Sequence, residues 1–170
     1  IASCLVGSEM CIRDSNCSAE PVNNVLVRKA ICLAMDRQSI IDNVVQVDAQ
    51  PAYSFLAPGY SVDGKDITEG RESFGLSATA DVEGAQAALA EAGYPNGEGF
   101  PTLTLSYYDN DTVKKVVEAM AEMLKNNLNI NVEVSSNEWS IFYDDVQKGN
   151  YQVAAMGWSA DYVNLSLIHI

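Results

Sequence analysis

The most constraining feature of this sequence is an alternation of strand-like and helix-like segments that fills its second half. Thr102 to Tyr108 has strand character. Asp111 is placed to cap a long helix from about Thr112 to Leu128. Its residues Val113, Val116, Val117, Met120, Met123, Leu124 and Leu128 recur at helical spacing. Ile130-Asn131-Val132-Glu133-Val134 alternates with period two. Asn137 is placed to cap a helix ending near Lys148, with Gly149 as its stop. Tyr151 to Trp158 is apolar enough for a buried strand. This β-α-β-α-β order predicts an α/β fold with parallel strands, right-handed crossovers and helices on the sheet faces. In open sheets of this kind ligands sit beyond the carboxyl ends of the strands. The segment there is Gly157-Trp158-Ser159-Ala160-Asp161-Tyr162.

Upstream, Asn16 to Asn24 is polar, contains Pro21 and reads as extended chain. Val25 to Met35 reads as a helix capped by Asn24, with Leu26, Ala30, Leu33 and Ala34 on one face. Asp36 is placed to cap a second helix from about Arg37 to Val45, whose apolar side holds Ile40, Ile41, Val44 and Val45. Gln50 to Ser77 is rich in turn formers (Pro51, Pro58-Gly59, Asp63-Gly64, Gly70, Gly75) and reads as a long loop. A loop of that length suits a segment that wraps over a lobe or lines an interface. Asp81 caps a helix to Ala92, which Gly93 and Pro95 stop.

The two ends read differently. Met10-Cys11-Ile12-Arg13-Asp14-Ser15 back-translates to ATG TGT ATA AGA GAC AGN. With the last two bases of a GAG codon for Glu9 in front, its reverse complement encodes Leu-Ser-Leu-Ile-His-Ile, the sequence of Leu165 to Ile170. One DNA element read in opposite orientations at the two ends points to a ligated adapter, and the string resembles a transposon-end adapter used in sequencing libraries. Such residues are set aside before fold reasoning. The native insert is then expected to run from about Asn16 to Asn164. Setting the ends aside removes His169, the only histidine, together with Cys4 and Cys11. Cys17 and Cys32 remain, and support neither a zinc site nor a confident bridge. Ile1-Ala2-Ser3-Cys4 looks like a lipoprotein cleavage box but lacks the basic and apolar regions of a signal peptide. Any targeting signal is expected outside the insert.

Composition narrows the function. Across 170 residues, 10 Lys and Arg face 23 Asp and Glu, a net charge of −13. That balance argues against nucleic acid, whose phosphates need clustered Lys and Arg, and disfavours anionic lipid. No apolar run is long enough to span a membrane as a helix. Without histidine in the insert, neither a Ser/His/Asp nor a Cys/His set can form.

Several residues have a functional and a structural reading. Trp158 and Asp161 after the last strand suit a cationic ligand, the carboxylate pairing with an ammonium and the indole adding packing. Alternatively Trp158 is core and Asp161 a cap. Trp139 faces a cleft or anchors its helix on the sheet. Asp109-Asn110-Asp111 lacks the central Gly and closing Glu of a calcium loop and reads as helix capping. Asp144 and Asp145 point apart on a helix. Gly93 to Gly99 lacks the Lys-Ser/Thr of a phosphate loop. No cofactor or metal ligand set emerges.

Set in order, these segments resemble a family. Val27-Arg28-Lys29-Ala30-Ile31 and Ala34-Met35-Asp36-Arg37 are similar to the V-R-x-A…A-x-D-R segment of family 5 solute-binding proteins, the extracytoplasmic oligopeptide and dipeptide receptors of ABC importers. Pro51-Ala52 and Pro58-Gly59 resemble their P-A…P-P-G loop, with Ala57 in place of the first proline. Ala85, Leu89, Ala92-Gly93-Tyr94-Pro95 and Gly97 resemble A…L-x-E-A-G-Y-P-x-G. Leu128-Asn129-Ile130-Asn131-Val132 is similar to L-G-I-N-V, with Asn129 replacing Gly. Glu138-Trp139 and Gly157 to Tyr162 resemble E-W and G-W-x-A-D-Y.

The resemblance implies a type II periplasmic-binding-protein-like lobe, an incomplete fragment of a two-lobed receptor that closes on its ligand. Residues 16–80 would supply a helical pair and long loop of that lobe, and 81–164 its α/β part, with 1–15 and 165–170 adapter-derived. It further implies a non-enzymatic monomer, in the periplasm or at the cell surface as a lipoprotein, that passes short peptides to ABC permease subunits. Asp161 would receive the peptide α-ammonium, Trp158 would wall the cleft, and Trp139 would form a second wall. Some members carry basic residues where Val146 and Ala155 stand here, so carboxylate anchoring does not transfer. The rival readings are a receptor for a nickel chelate or sugar, and a hydrolase on a two-lobed α/β scaffold. Genomic sequence read through both junctions is expected to depart from this chain before Asn16 and after Asn164. Continuous identity through Met10 to Ser15 and Leu165 to Ile170 would overturn the adapter assignment.

Overall fold

The computed structural model describes residues 4–6, 9–46, 49–51, 61–62, 65–66 and 75–159, with side chains for 14–46, 51 and 75–156. In chain order the elements are β1 (Cys4–Val6), β2 (Glu9–Ser15), α1 (Val25–Leu33), α2 (Arg37–Ser39) leading into a π-helical turn (Ile40–Val45), β3 (Ala49–Pro51), β4 (Ser61–Val62), β5 (Lys65–Asp66), α3 (Val82–Glu91), a 3-10 turn (Pro95–Gly97), β6 (Leu103–Tyr108), α4 (Asp111–Leu128), β7 (Val132–Asn137), α5 (Trp139–Lys148) and β8 (Val153–Ser159).

Six strands form one sheet in the order β3-β1-β2-β8-β6-β7, and β4 pairs with β5 separately. The block β8-β6-β7 is parallel, as the alternation predicts. β6 lies at its centre. The crossover through α4 therefore leaves β6 in one direction, and the crossover through α5 returns past it. Two right-handed crossovers of opposite direction put α4 and α5 on opposite faces of the sheet.

Strand parity agrees. Leu103, Leu105 and Tyr107 of β6 are buried with Val153 and Ala155 of β8 and with Val116, Val117, Met120 and Leu124 of α4. Tyr108, one residue on, meets Phe142 of α5. α1 and α3 complete the α4 side. The buried face of α1 is Val27, Ala30, Ile31, Leu33 and the following Ala34, while Leu26 is only half-buried. The i, i+3, i+4, i+7 set starting at Val27 displaces the expected one starting at Leu26.

Local chemistry sets the helix ends. Asn24 and Asp36 cap α1 and α2 as expected, their side chains accepting from Leu26 N–H and Ser39 N–H. Asp81 accepts from Gly84 N–H at 2.9 Å. After α3, Gly93 turns left-handed at φ +101°, and Gly93 N–H and Tyr94 N–H bond back to Ala90 O and Leu89 O. That double closure satisfies the last carbonyls of the helix. Gly97, at φ +76°, lies so close to the end of α4 that a Cβ there would stand 2.6 Å from the carbonyl oxygens of Leu128 and Asn129.

Two caps differ from expectation by one residue. Asn110, not Asp111, caps α4, its Oδ1 accepting from Thr112 and Val113 N–H at 3.0 Å each. Glu138, not Asn137, caps α5, because Asn137 is still paired as the last residue of β7. The second predicted helix is also irregular, with a π-helical turn closed by Gln46 N–H on Ile41 O at 2.8 Å. The span read as a loop contains β3, β4 and β5, strands of two or three residues that are too short to show an alternation. Residues 52–60, 63–64 and 67–74 of that span lie outside the described residues.

Residues 9–15, expected to be adapter-derived, form β2 and pair antiparallel with β8 from Glu9↔Ser159 to Ser15↔Val153. Ladder hydrogen bonds are main-chain bonds, so an open sheet edge accepts any extended segment. Tyr151 Oη donates to Asp14 Oδ2 at 2.5 Å. Burial first, then this bond, holds the Tyr151 phenol above its ordinary pKa.

Asn110→Ala is expected to destabilise the chain by about 1 kcal/mol in urea unfolding, the usual loss for a helix cap. Asp111→Ala should have a clearly smaller effect, because its side chain is not the cap.

Candidate functional site

The crossovers through α4 and α5 run in opposite directions, and in open α/β sheets ligands bind beyond the carboxyl ends of the strands near such a reversal. Tyr107 pairs with Ala155, so β8 runs on through Gly157, Trp158 and Ser159 beyond the level at which β6 ends. At about 3.3 Å per residue this overrun is roughly 10 Å. Trp158 is the second-last residue of β8, opposite Met10 of β2. Its side chain and the whole of Asp161 lie outside the described residues.

On the α5 side of this edge stands an aromatic corner. Tyr108, the last residue of β6, pairs with Asn137, the last of β7, and Asp109 N–H donates to Asn137 O at 2.9 Å. α5 starts two residues later with Trp139. Its indole meets Tyr108 edge-on at 5.1 Å and 89°, and stacks with Tyr143 at 5.6 Å and 22°. Phe142 underlies both, 5.9 Å from Tyr108 and 6.2 Å from Trp139. The positions 139, 142 and 143 share one helical face. Aromatic pairs of this geometry add about 0.5–1.5 kcal/mol each beyond the area they bury. Phe142 is 1% exposed, whereas Trp139 is 46% and Tyr143 41% exposed. Trp139 is thus fixed by its neighbours while half of it faces solvent.

Glu138 governs the start of α5. Its carboxylate accepts from Ser140 N–H at 3.1 Å and from the Ser140 hydroxyl. The Ser140 hydroxyl, opposed by desolvation and aided by the backbone N–H groups of Ser140 and Ile141, holds the Glu138 carboxyl below the ordinary glutamate range. A charged carboxylate at a helix N-terminus also suits the helix dipole.

Of the residues singled out by sequence, Trp139 lies at the carboxyl edge. The structure joins to it Tyr108 and Tyr143, which sequence reasoning missed. The signal for Tyr108 was parity: in Tyr107-Tyr108 only one ring can enter the α4 core. The signal for Tyr143 was its i+4 spacing from Trp139. Ala155 faces the α4 core at 4% exposure, and Val146 is half-buried on α5, so neither brings a charge to the edge. Asn110 acts as a cap, in line with the capping reading of Asp109-Asn110-Asp111. Asp144 pairs with Lys148 at 2.6 Å on the surface. Among the described residues no group of His, Cys, Asp and Glu is placed to hold a metal ion, and no helix is long and apolar enough to cross a membrane.

The mixed sheet with helices on both faces is a lobe of the type II periplasmic-binding-protein kind. The chain belongs to the bacterial extracellular solute-binding proteins, family 5 (middle), whose family model matches residues 9–166. It is 34% identical to the oligopeptide-binding protein OppA of Bacillus subtilis (strain 168), over 86% of this chain and 27% of that protein. It is 38% identical to the periplasmic oligopeptide-binding protein OppA of Escherichia coli (strain K12), over 84% of this chain and 25% of that protein. Its fold is similar to that of Haemophilus influenzae OppA in complex with RPPGFSPFR, with a TM-score of 0.79 and 28% identity over 98% of this chain and 32% of that one. The chain spans about a quarter of the length of the curated relatives it matches.

The lowered pKa of Glu138 fixes a sign. A carboxylate whose folded pKa is depressed stabilises the fold above its unfolded pKa, and the benefit fades as pH falls through the lower, folded value. Exchange protection of the Ser140 and Ile141 amides is therefore expected to hold near neutral pH and to drop below the ordinary glutamate range. In Glu138→Ala it should be low throughout. Protection that is independent of both pH and this substitution would remove Glu138 as the cap.

Proposed function

We propose that this chain is part of the substrate-binding component of an ABC importer, which captures short peptides outside the cytoplasmic membrane and delivers them to permease subunits. Residues 16–80 and 81–164 supply one lobe of this receptor, and residues 1–15 and 165–170 are adapter-derived. The receptor works as a monomer, in the periplasm or as a lipoprotein at the cell surface, without cofactor or catalytic step. What supports the reading is its family together with one geometric observation: Trp139, held on two sides by other rings, stands half-exposed at the carboxyl edge of the sheet.

In this mechanism Asp161 neutralises the peptide α-ammonium, and Trp158 and Trp139 form walls of the cleft. Closure of the second lobe excludes water, which strengthens the charged contact. A charge-assisted pair combined with apolar walls holds a peptide by its backbone terminus, whatever most of its side chains are.

Calorimetry on the full-length protein with short peptides tests this. Asp161→Asn is expected to weaken binding by about 2–5 kcal/mol, the loss on truncating one partner of a buried charged pair. Unchanged affinity would remove Asp161 from the site. Specific ligands raise Tm by mass action. A rise with nickel chelates or sugars and none with peptides would assign the receptor to a non-peptide solute, and peptide hydrolysis would make it an enzyme.

A further inference from the structure

We infer that Asn96 is a site of spontaneous deamidation that the fold holds closed, and that it reacts only when the turn after α3 parts from the end of α4. The inference concerns the chain's own chemistry and goes beyond the receptor reading, since it holds whatever solute is bound.

Asn96 is the only asparagine of the chain that a glycine follows. Such a pair is chemically weak, because glycine has no side chain to hinder ring closure on the preceding amide. The Gly97 nitrogen gives up its proton and attacks Asn96 Cγ. The bond from that nitrogen to Cγ forms, the bond from Cγ to Nδ2 breaks, and the amide leaves as ammonia with the displaced proton. Water then opens the cyclic imide at either carbonyl. Opening at Cγ gives Asp. Opening at the main-chain carbonyl gives isoaspartate, which carries one extra methylene in the backbone. Asn96 is exposed, so water reaches it.

The structure opposes the first step. Asn96 is left-handed, at φ 54° and ψ 24°, which turns the Gly97 nitrogen away from the Asn96 side chain. Gly97 N–H is engaged, donating to Tyr94 O at 3.1 Å. Asn96 O accepts from Asn129 Nδ2 at 3.1 Å. The peptide between the two residues is thus held on both sides, and the rotation that attack needs breaks both bonds. The products do not fit back. Gly97 lies so close to α4 that even a Cβ there would stand 2.6 Å from Leu128 O and Asn129 O. A longer backbone has no slack to occupy at such an approach. Either product also sets a new carboxylate near the carbonyl end of α4, where the helix dipole disfavours negative charge.

The test incubates the full-length protein, and a synthetic peptide of residues Glu91 to Pro101, in the same buffer. Mass spectrometry follows loss of the Asn96 amide, and chromatography separates Asp from isoaspartate. The peptide is expected to convert, and the folded protein to do so about a hundredfold more slowly, the ratio for a joint that is open about one per cent of the time. Guanidinium chloride should bring the protein to the rate of the peptide. Asn129→Gly keeps the left-handed turn but removes the donor, and should raise the folded rate about threefold, the scale of one hydrogen bond. The isoaspartate form should melt below Asn96→Asp, which carries the charge without the extra backbone atom. A peptide that does not convert overturns the site. A folded rate equal to that of the peptide, or one that Asn129→Gly leaves unchanged, overturns the closed joint. An isoaspartate form that melts together with Asn96→Asp overturns the claim that the longer backbone does not fit.

Discussion

The architecture depends on the alternation of side chains along β6. This strand is hydrogen-bonded to parallel neighbours on both sides, so its two faces are sealed by different helices. Leu103, Leu105 and Tyr107 go into the α4 core, and Tyr108 goes to α5. Each of the fully buried apolar side chains stabilises the fold by about 1.5–3 kcal/mol relative to exposure. A slip of one residue would exchange the faces and lose all three at once. The same parity places an aromatic ring at the carboxyl edge on the α5 face. Fold and site are therefore fixed by one register.

The α4 side is held by polar stitches as well as apolar packing. Arg37 is 3% exposed, and its guanidinium donates to the carbonyls of Cys32, Met35 and Ser77 at 3.0, 3.2 and 3.4 Å. It thus ties the end of α1 to the chain where it returns near residue 77. Gln38 N–H to Ala78 O and Asp81 N–H to Leu33 O continue the seam. Asn127 Nδ2 then bonds Ala34 O at 2.8 Å and links α4 to the same region. Carbonyls at a helix end have no intrahelical donor, so donors brought from elsewhere join segments while satisfying buried acceptors.

Much of this was legible in the sequence. The alternation over the second half gave the parallel block and its helices, because long segments with strong periodicity carry redundant signals. What was misread hangs on competition between adjacent residues. Asn110 and Asp111 are both good caps, and only the backbone at 110, extended at φ −158°, decides between them. Asn137 lost its expected capping role because β7 continues to it, which depends on pairing with Tyr108 rather than on local sequence. Leu26 and Val27 are both apolar, and packing against α3 selects the second. Of the site, the resemblance to a solute-binding family marked Trp139, Trp158 and Asp161. Tyr108 and Tyr143 became visible only when the sheet brought the end of β6 under the first turn of α5. Single-residue motifs do not encode such a juxtaposition.

Unequal strand lengths shape the carboxyl edge of the sheet. β6 stops at Tyr108, where Asp109 and Asn110 turn the chain into α4. β8 has no helix to begin there and continues three residues further, paired only with β2. The end of β6 thus lies between the longer β8, paired with β2, and the first turn of α5, whose Trp139 meets Tyr108. The overrun requires a strand on the β2 side of β8, since without it both rows of its backbone groups would be unpaired. The requirement is met by main-chain hydrogen bonds alone.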